Sequence, residues 1–382
     1  MTSGMKNFIA ASLLSLVGAV FVLKFSARIG FASHFSYVLA LAYATIYTSF
    51  ISIALKFTLS RHLPRVGRPL LLAVSLILVI GAIGIVVLTP ETSRVSRLAG
   101  IAEWVNRFLS GRFPWGLDTM TWPSGLPFLF MLALPFHCAG NVGFLEVIGI
   151  ALFCAALWYR HRENSSWVGL ISLAALLFLP SVTYEVLVRS ELLFNMMLII
   201  VLIVVSERYL DTKKFNLPFF VLATFFGLGL STRTIVGLIY AAYYLYKFRR
   251  DIVHGLVFSF VTLSVFGLTL LPFIVWNSRV FFAEGPFSIQ MSYLPLTQVV
   301  PFILLAALAG WRSSKIEDLF FWTGAILFAI VAAAFLTKAI HVGFPGAVFA
   351  DKFDISYFIF CTPFLALSLE GSPVLPERAA VI

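Results

Sequence analysis

The sequence predicts an all-α polytopic membrane protein of about twelve transmembrane helices, and three observations carry that prediction. Of 382 residues, 60% are apolar and only 12% charged, against about 25% charged in a soluble globular domain. The apolar residues fall in long unbroken runs that do not alternate with polar ones, which excludes a transmembrane β-barrel. Charges and prolines collect between the runs, where a spanning chain meets headgroups and water. The same composition excludes a disulfide-dense secreted scaffold, a nucleic-acid-binding domain and a disordered chain.

The first run, 7–23, follows Lys6 and has no small-residue cleavage pattern behind it, so it reads as a retained span and not as a signal peptide. A second run covers 36–56, and residues 1–68 form an N-terminal pair of spans ahead of a core over 69–370. The core opens with a span at 69–89 and a loop over 90–141. Within that loop Val95, Leu98, Ile101, Ala102, Val105, Phe108 and Leu109 recur at helical spacing, while Arg94, Arg97, Glu103 and Arg107 lie off the stripe. An amphipathic helix lying in the membrane interface is predicted there. The stretch 125–136 is too short to cross about 30 Å of hydrocarbon, and Pro123, Pro127 and Pro135 break it, so it reads as re-entrant or interfacial. Nine further runs follow at 142–159, 166–183, 191–207, 216–231, 234–247, 253–276, 295–310, 318–337 and 355–370, with a tail over 371–382.

Counting spans in this way puts 16 of the 27 lysines and arginines on one face. The positive-inside rule makes that face cytoplasmic, with both termini on it and the 90–124 loop outside, as in a multi-pass protein of a cell inner membrane. The formal charge of +10 then needs no polyanionic partner beyond anionic lipid headgroups. Cys138, Cys154 and Cys361 imply neither a disulfide frame nor a metal cluster.

Charge near hydrocarbon is costly, so each acid and cation on the external side is a functional candidate. Glu91 stands directly after the third span with Arg94 and Arg97 behind it. A carboxylate there can take a proton from a hydroxyl while the cations bind a phosphate. Asp118, in the same loop, is the second candidate base. Glu185, Arg189 and Glu191 sit at the mouth of adjacent spans; Glu185 and Arg189 are spaced i, i+4 and are expected to pair on one helix face. Arg233 lies between two short runs that form a helical hairpin, where it either snorkels or binds phosphate. Lys352 is a further external cation. His137 and His341 have no spaced partner and read as packing residues. No HExxH, GxSxG, P-loop or GxGxxG motif supports proteolysis, serine hydrolysis or nucleotide binding.

A span ending in an acid, an external helix ending in Ser110-Gly111-Arg112-Phe113-Pro114, then Pro123-Ser124-Gly125-Leu126-Pro127 and a span ending in a basic turn form an order of elements. Gly229-Leu230-Ser231-Thr232-Arg233 before a short span closed by Lys247-Phe248-Arg249-Arg250, and the late Asp354-Ile355-Ser356-Tyr357, continue it. This order resembles the GT-C membrane glycosyltransferases, mannosyltransferase-like enzymes that use polyprenyl-phosphate-linked sugars. The resemblance covers roughly 69–370 and is architectural. It implies a hexosyltransferase that inverts the anomeric carbon, with Glu91 as base in the position where the family more often has aspartate. Arg94, Arg97, Arg189 and Arg233 would then hold the leaving phosphate, alone or with a divalent metal ion in place of some of them. The two added N-terminal spans and the lack of a large soluble C-terminal domain depart from the family pattern.

Two other classes stay open at this level. A multi-span transporter or lipid flippase has the same number of spans, although it is expected to carry ionisable residues in mid-span, whereas nearly all acids here lie at span ends. A non-catalytic membrane subunit on a GT-C-like scaffold is the other, because a fold does not fix an activity.

Overall fold

The chain begins with α1 (Ser3–Arg28), capped by Thr2, whose hydroxyl accepts from the Met5 amide at 3.4 Å. The structure is a computed structural model, which describes residues 1–60, 68–90, 96–116, 118–119, 121, 123–161, 166–291, 295–350 and 352–369. Among these residues every regular element is helical. After α1 come α2 (Ser33–Ser60), α3 (Arg68–Leu88), α4 (Ser96–Leu109), α5 (Pro127–Cys138), α6 (Phe144–Arg160), α7 (Ser166–Leu177), α8 (Pro180–Leu187) and α9 (Leu192–Tyr209). The second half holds α10 (Leu217–Leu230), α11 (Val236–Phe248), α12 (Ile252–Ala283), α13 (Pro286–Met291), α14 (Leu296–Arg312), α15 (Ile316–Val342) and α16 (Phe344–Val348). A 3₁₀ segment, Ile355–Cys361, then leads into α17 (Thr362–Leu367).

Among the described residues, six helices are long and apolar enough to cross a membrane, seven when α7 and α8 count as one broken span. The other apolar helices are 10–17 residues long. Length explains the gap between this number and twelve apolar runs: at 1.5 Å per residue a 13-residue helix such as α11 spans about 20 Å.

Several runs break where the sequence has a physical reason to break them. The run 166–183 bends by 63° between α7 and α8, at Pro180, which has no amide to continue the ladder. α12 loses helical geometry at Asn277 (φ −155°, ψ 83°), whose side chain then accepts from the Val280 amide at 3.2 Å and starts the helix again. The final apolar run opens not as an α-helix but as the 3₁₀ segment ahead of α17, started by Asp354, which accepts from the Ser356 amide at 3.0 Å.

Small residues let helices approach where apolar solvent gives no net drive to association. A Cβ on Gly310 would lie 1.9 Å from the Ala242 carbonyl oxygen, so α14 and α11 touch backbone to backbone. On Gly149 it would lie 2.8 Å from Phe194 Cα, where α6 crosses α9. Gly310→Ala is therefore expected to lower stability by about 1–3 kcal/mol, the usual cost of overpacking, read as a fall in the melting temperature of purified protein. An unchanged melt would contradict this close contact.

Ion pairs mark the two ends of the bundle. At one end Lys6 bonds Asp318, Arg160 bonds Glu317, and Lys247 meets Glu207 at 2.9 Å. At the other, α1 and α15 finish close to the turn before α11 and the start of α9, around a cavity. Both ends of α5 are tied to this second end. The Leu126 and Phe128 amides donate to Thr232 and Ser231 at 3.0 Å, and past its C-terminus Asn141 donates to the Val86 carbonyl at 3.3 Å.

α4 is more deeply seated than an amphipathic helix on a surface. Its Trp104 is fully buried and stacks on Phe130 with centroids 4.5 Å apart, with Trp115 edge-on at 5.4 Å. These rings, with Phe273 and Phe281, form a second apolar core. Arg97, assigned from spacing to the exposed side of this helix, is 9% exposed and points into the bundle. The reason is a set of acceptors that replaces its water.

Candidate functional site

Arg97 is the centre of that set. Its guanidinium donates to Ser190 Oγ at 2.8 Å, to Ser356 Oγ and to Asp354, stands 3.5 Å from Glu185 Oε1, and lies 5.1 Å from the Tyr357 ring centroid. α4, the α8–α9 turn and the start of the 3₁₀ segment are thereby fastened at one point. Burial alone would raise the Asp354 carboxyl, but the Arg97 charge and two hydrogen bonds from Ser356 outweigh it and hold the group below the usual carboxylate range.

A second pair stands beside the first. Arg233, in the turn between α10 and α11, bonds Glu191 at the N-cap of α9; both are almost fully buried. Arg233 also reaches Ser124 Oγ at 3.4 Å. Gln290 closes this corner by donating to the Ser124 carbonyl at 2.5 Å and accepting from the Thr234 amide at 3.2 Å.

The two pairs line one wall of a cavity of about 730 Å³. Among the described residues six cations line it, Lys24, Arg28, Arg97, Arg233, Lys338 and Lys352, against two carboxylates, Glu191 and Asp354. Four formal positive charges are therefore in excess, and a cleft lined mostly by one sign concentrates ions of the other. Tyr184, Ser124 and Thr337 add polar groups, and Ile101, Leu129 and Phe130 an apolar edge.

Of the residues singled out in the sequence, Arg97, Glu191, Arg233 and Lys352 line the cavity. Glu185 is fully buried behind Arg97. The expected Glu185–Arg189 pair on one helix face does not form. α8 ends at Leu187, and Arg189 takes a left-handed conformation (φ 52°), so it is not one turn above Glu185. Its guanidinium instead donates to the Val86 and Thr89 carbonyls, at 2.9 and 3.0 Å, and closes the C-terminus of α3. Asp118 pairs with Arg107 at 2.9 Å, is largely exposed and is not among the cavity residues. Glu91 and Arg94 lie outside the described residues.

The cavity also gathers residues that sequence reasoning did not select as site residues. Lys24 and Arg28 end the first span, where a cation reads as a boundary marker. Lys338 ends a later span in the same way, and His341, expected to be a packing residue, lines the cavity. His137, the other such histidine, meets Asn106 Oδ1 at 3.0 Å. As for a divalent metal, among the described residues no three of His, Cys, Asp and Glu are grouped to hold one. The described side chains do not fit that role, and nothing below is routed through a metal.

Fold and composition together define a multi-pass, all-helical membrane protein. No protein-family model matches the chain, and neither a curated protein nor a solved structure does.

Proposed function

We propose that the protein is a GT-C-type membrane glycosyltransferase that moves a sugar from a polyprenyl-phosphate donor to an acceptor hydroxyl, with inversion. The observation that carries this reading is the cavity at one end of the bundle, with its excess of cations around an apolar edge. A phosphate on a prenyl chain needs both at one place: positive charge for the headgroup and hydrocarbon for the tail. The residues meeting there come from chain segments that carry the resemblance: Arg97 after the third run, Arg233 before the short span, and Asp354 late in the core.

The finer topology belongs to the same reading. Twelve crossings, α4 and α5 held at the cavity end, that end facing outward and both termini in the cytoplasm of an inner-membrane protein are what it requires. In its chemistry, the Glu91 carboxylate takes the acceptor hydroxyl proton as the oxygen attacks the anomeric carbon. The bond from that carbon to the phosphate oxygen breaks, and polyprenyl phosphate leaves with the electron pair. Positive charge around the cavity stabilises the leaving phosphate as its charge develops. Asp354 and Glu191 are less suited to the base role, since each is committed to an arginine.

Proteoliposomes of the purified protein, given polyprenyl-phosphate donors with radiolabelled sugars and a panel of acceptor lipids and glycans, test the reading. Transfer of label to an acceptor is expected. Movement of the intact donor across the membrane without transfer would replace this reading with that of a flippase.

A further inference from the structure

The excess positive charge is not spread evenly around the cavity. Arg97 and Arg233, the buried arginines, are each already bonded to a carboxylate, Asp354 and Glu191. A further stretch of the cavity wall is built by the last turns of α15 and the chain that follows. Ala334, Thr337, Lys338 and His341 lie at i, i+3, i+4 and i+7, so one stripe of α15 faces the cavity. The chain reverses at Gly343 (φ 75°), forms α16, and returns Lys352 to the same wall.

This wall is fixed in place. Phe335 packs against Phe344 and Phe353 with centroids 5.9 and 5.5 Å apart, and the Lys352 and Phe353 amides donate to the Gly346 and Ala347 carbonyls at 3.3 Å. Lys338 and Lys352 are exposed to the cavity side, and among the described residues neither has a carboxylate within ion-pair distance. Asp351, beside Lys352, lies outside the described residues.

We infer that the wall formed by Lys338, His341 and Lys352 is a phosphate-binding subsite, and that a ligand's phosphate lies against it while Arg97 and Arg233 keep their carboxylates. The physical reason is competition. A phosphate approaching either arginine must displace a buried carboxylate, whose desolvated charge would be left without a partner. A phosphate approaching the lysines displaces no carboxylate among the described residues. Thr337 adds a hydroxyl donor on the same stripe, and the imidazole of His341 adds a nitrogen. This deepens the reading above, because it says which cations hold the headgroup, and it rests on that reading only for the lipid identity of the ligand.

The test uses the full chain in nanodiscs with three probes: undecaprenyl phosphate, undecaprenol without the phosphate, and inorganic phosphate. The variants are Lys338→Ala/Lys352→Ala and the charge-keeping Lys338→Arg/Lys352→Arg. For the alanine pair, undecaprenyl phosphate is expected to bind about 10- to 100-fold more weakly, as for the loss of charge-assisted hydrogen bonds. Undecaprenol binding should not change, and the arginine pair should keep most of the affinity. If the wild type instead binds inorganic phosphate with the same dependence on the lysines and shows no preference for the lipid, the subsite stands and the glycosyltransferase reading falls. Equal affinity of the wild type and the alanine pair for both phosphate probes overturns the subsite, as does failure of the wild type to bind either one.

Discussion

Replacing Glu91 by glutamine is expected to lower sugar transfer about 10²–10⁴-fold, the usual contribution of a positioned general base, with donor binding and melting temperature unchanged. The amide keeps the size and much of the hydrogen-bonding geometry of the carboxylate but cannot accept a proton at neutral pH. Steady-state transfer rates and a donor-binding isotherm on the same preparation separate the two effects. Glu91 follows Pro90, two residues beyond Thr89, whose carbonyl Arg189 holds at 3.0 Å. Arg189 in turn precedes Ser190 and Glu191, a ligand of Arg97 and a lining residue of the cavity. The C-terminus of α3 is thus tied to the strip of chain that builds the site. If Glu91 only pairs with a neighbouring cation, the glutamine variant should transfer at nearly the wild-type rate, since an exposed pair contributes about 0–1 kcal/mol. Asp118, exposed and bonded to Arg107, is a poor replacement as base.

The second large effect is expected at Arg97. Its alanine variant leaves Glu185 fully buried and Asp354 two-thirds buried without the charge that faced them. Removing one member of a buried pair costs about 3–5 kcal/mol, and the exposed third of Asp354 argues for the lower half of that range. The observable is a large drop in melting temperature or failure to accumulate in the membrane. Arg97→Lys should recover part of it, because an ammonium restores charge but cannot reach Ser190, Ser356 and Asp354 together as the planar fork does. Wild-type stability in the alanine variant would mean that α4 is held by Trp104 and its aromatic neighbours alone.

Much of the fold was legible because apolar runs and their charged ends are one-dimensional signals. Lys6, Arg160 and Lys247, placed together by counting spans, do lie at one end of the bundle, while Lys24, Arg97, Arg233 and Lys338 meet at the other. Breaks inside runs were harder to see. Pro180 lies inside a run long enough to cross, and Asn277 in α12 is an ordinary polar residue until its side chain caps the helix it interrupts. The site was half legible for a related reason. Spacing predicts partners along one helix, and so it paired Glu185 with Arg189. Arg97 and Asp354, 257 residues apart, pair only because α4 and the 3₁₀ segment meet in space. A helical stripe of Thr337, Lys338 and His341 was present in the sequence, but at the end of a span such residues look the same as a boundary. Their role depends on which acids stand near them among the described residues, which is a property of three dimensions.

On the proposed function, this cavity receives the phosphate of a polyprenyl-linked donor. The most direct measurement is a cryo-electron microscopy structure of the full chain in nanodiscs loaded with undecaprenyl phosphate. Phosphate density is expected in the cavity against Lys338 and Lys352, with Arg97 and Arg233 still bonded to Asp354 and Glu191 and the prenyl chain leaving into the bilayer. Lipid density at the opposite end of the bundle, near Lys6 and Asp318, with the cavity holding none, would contradict it.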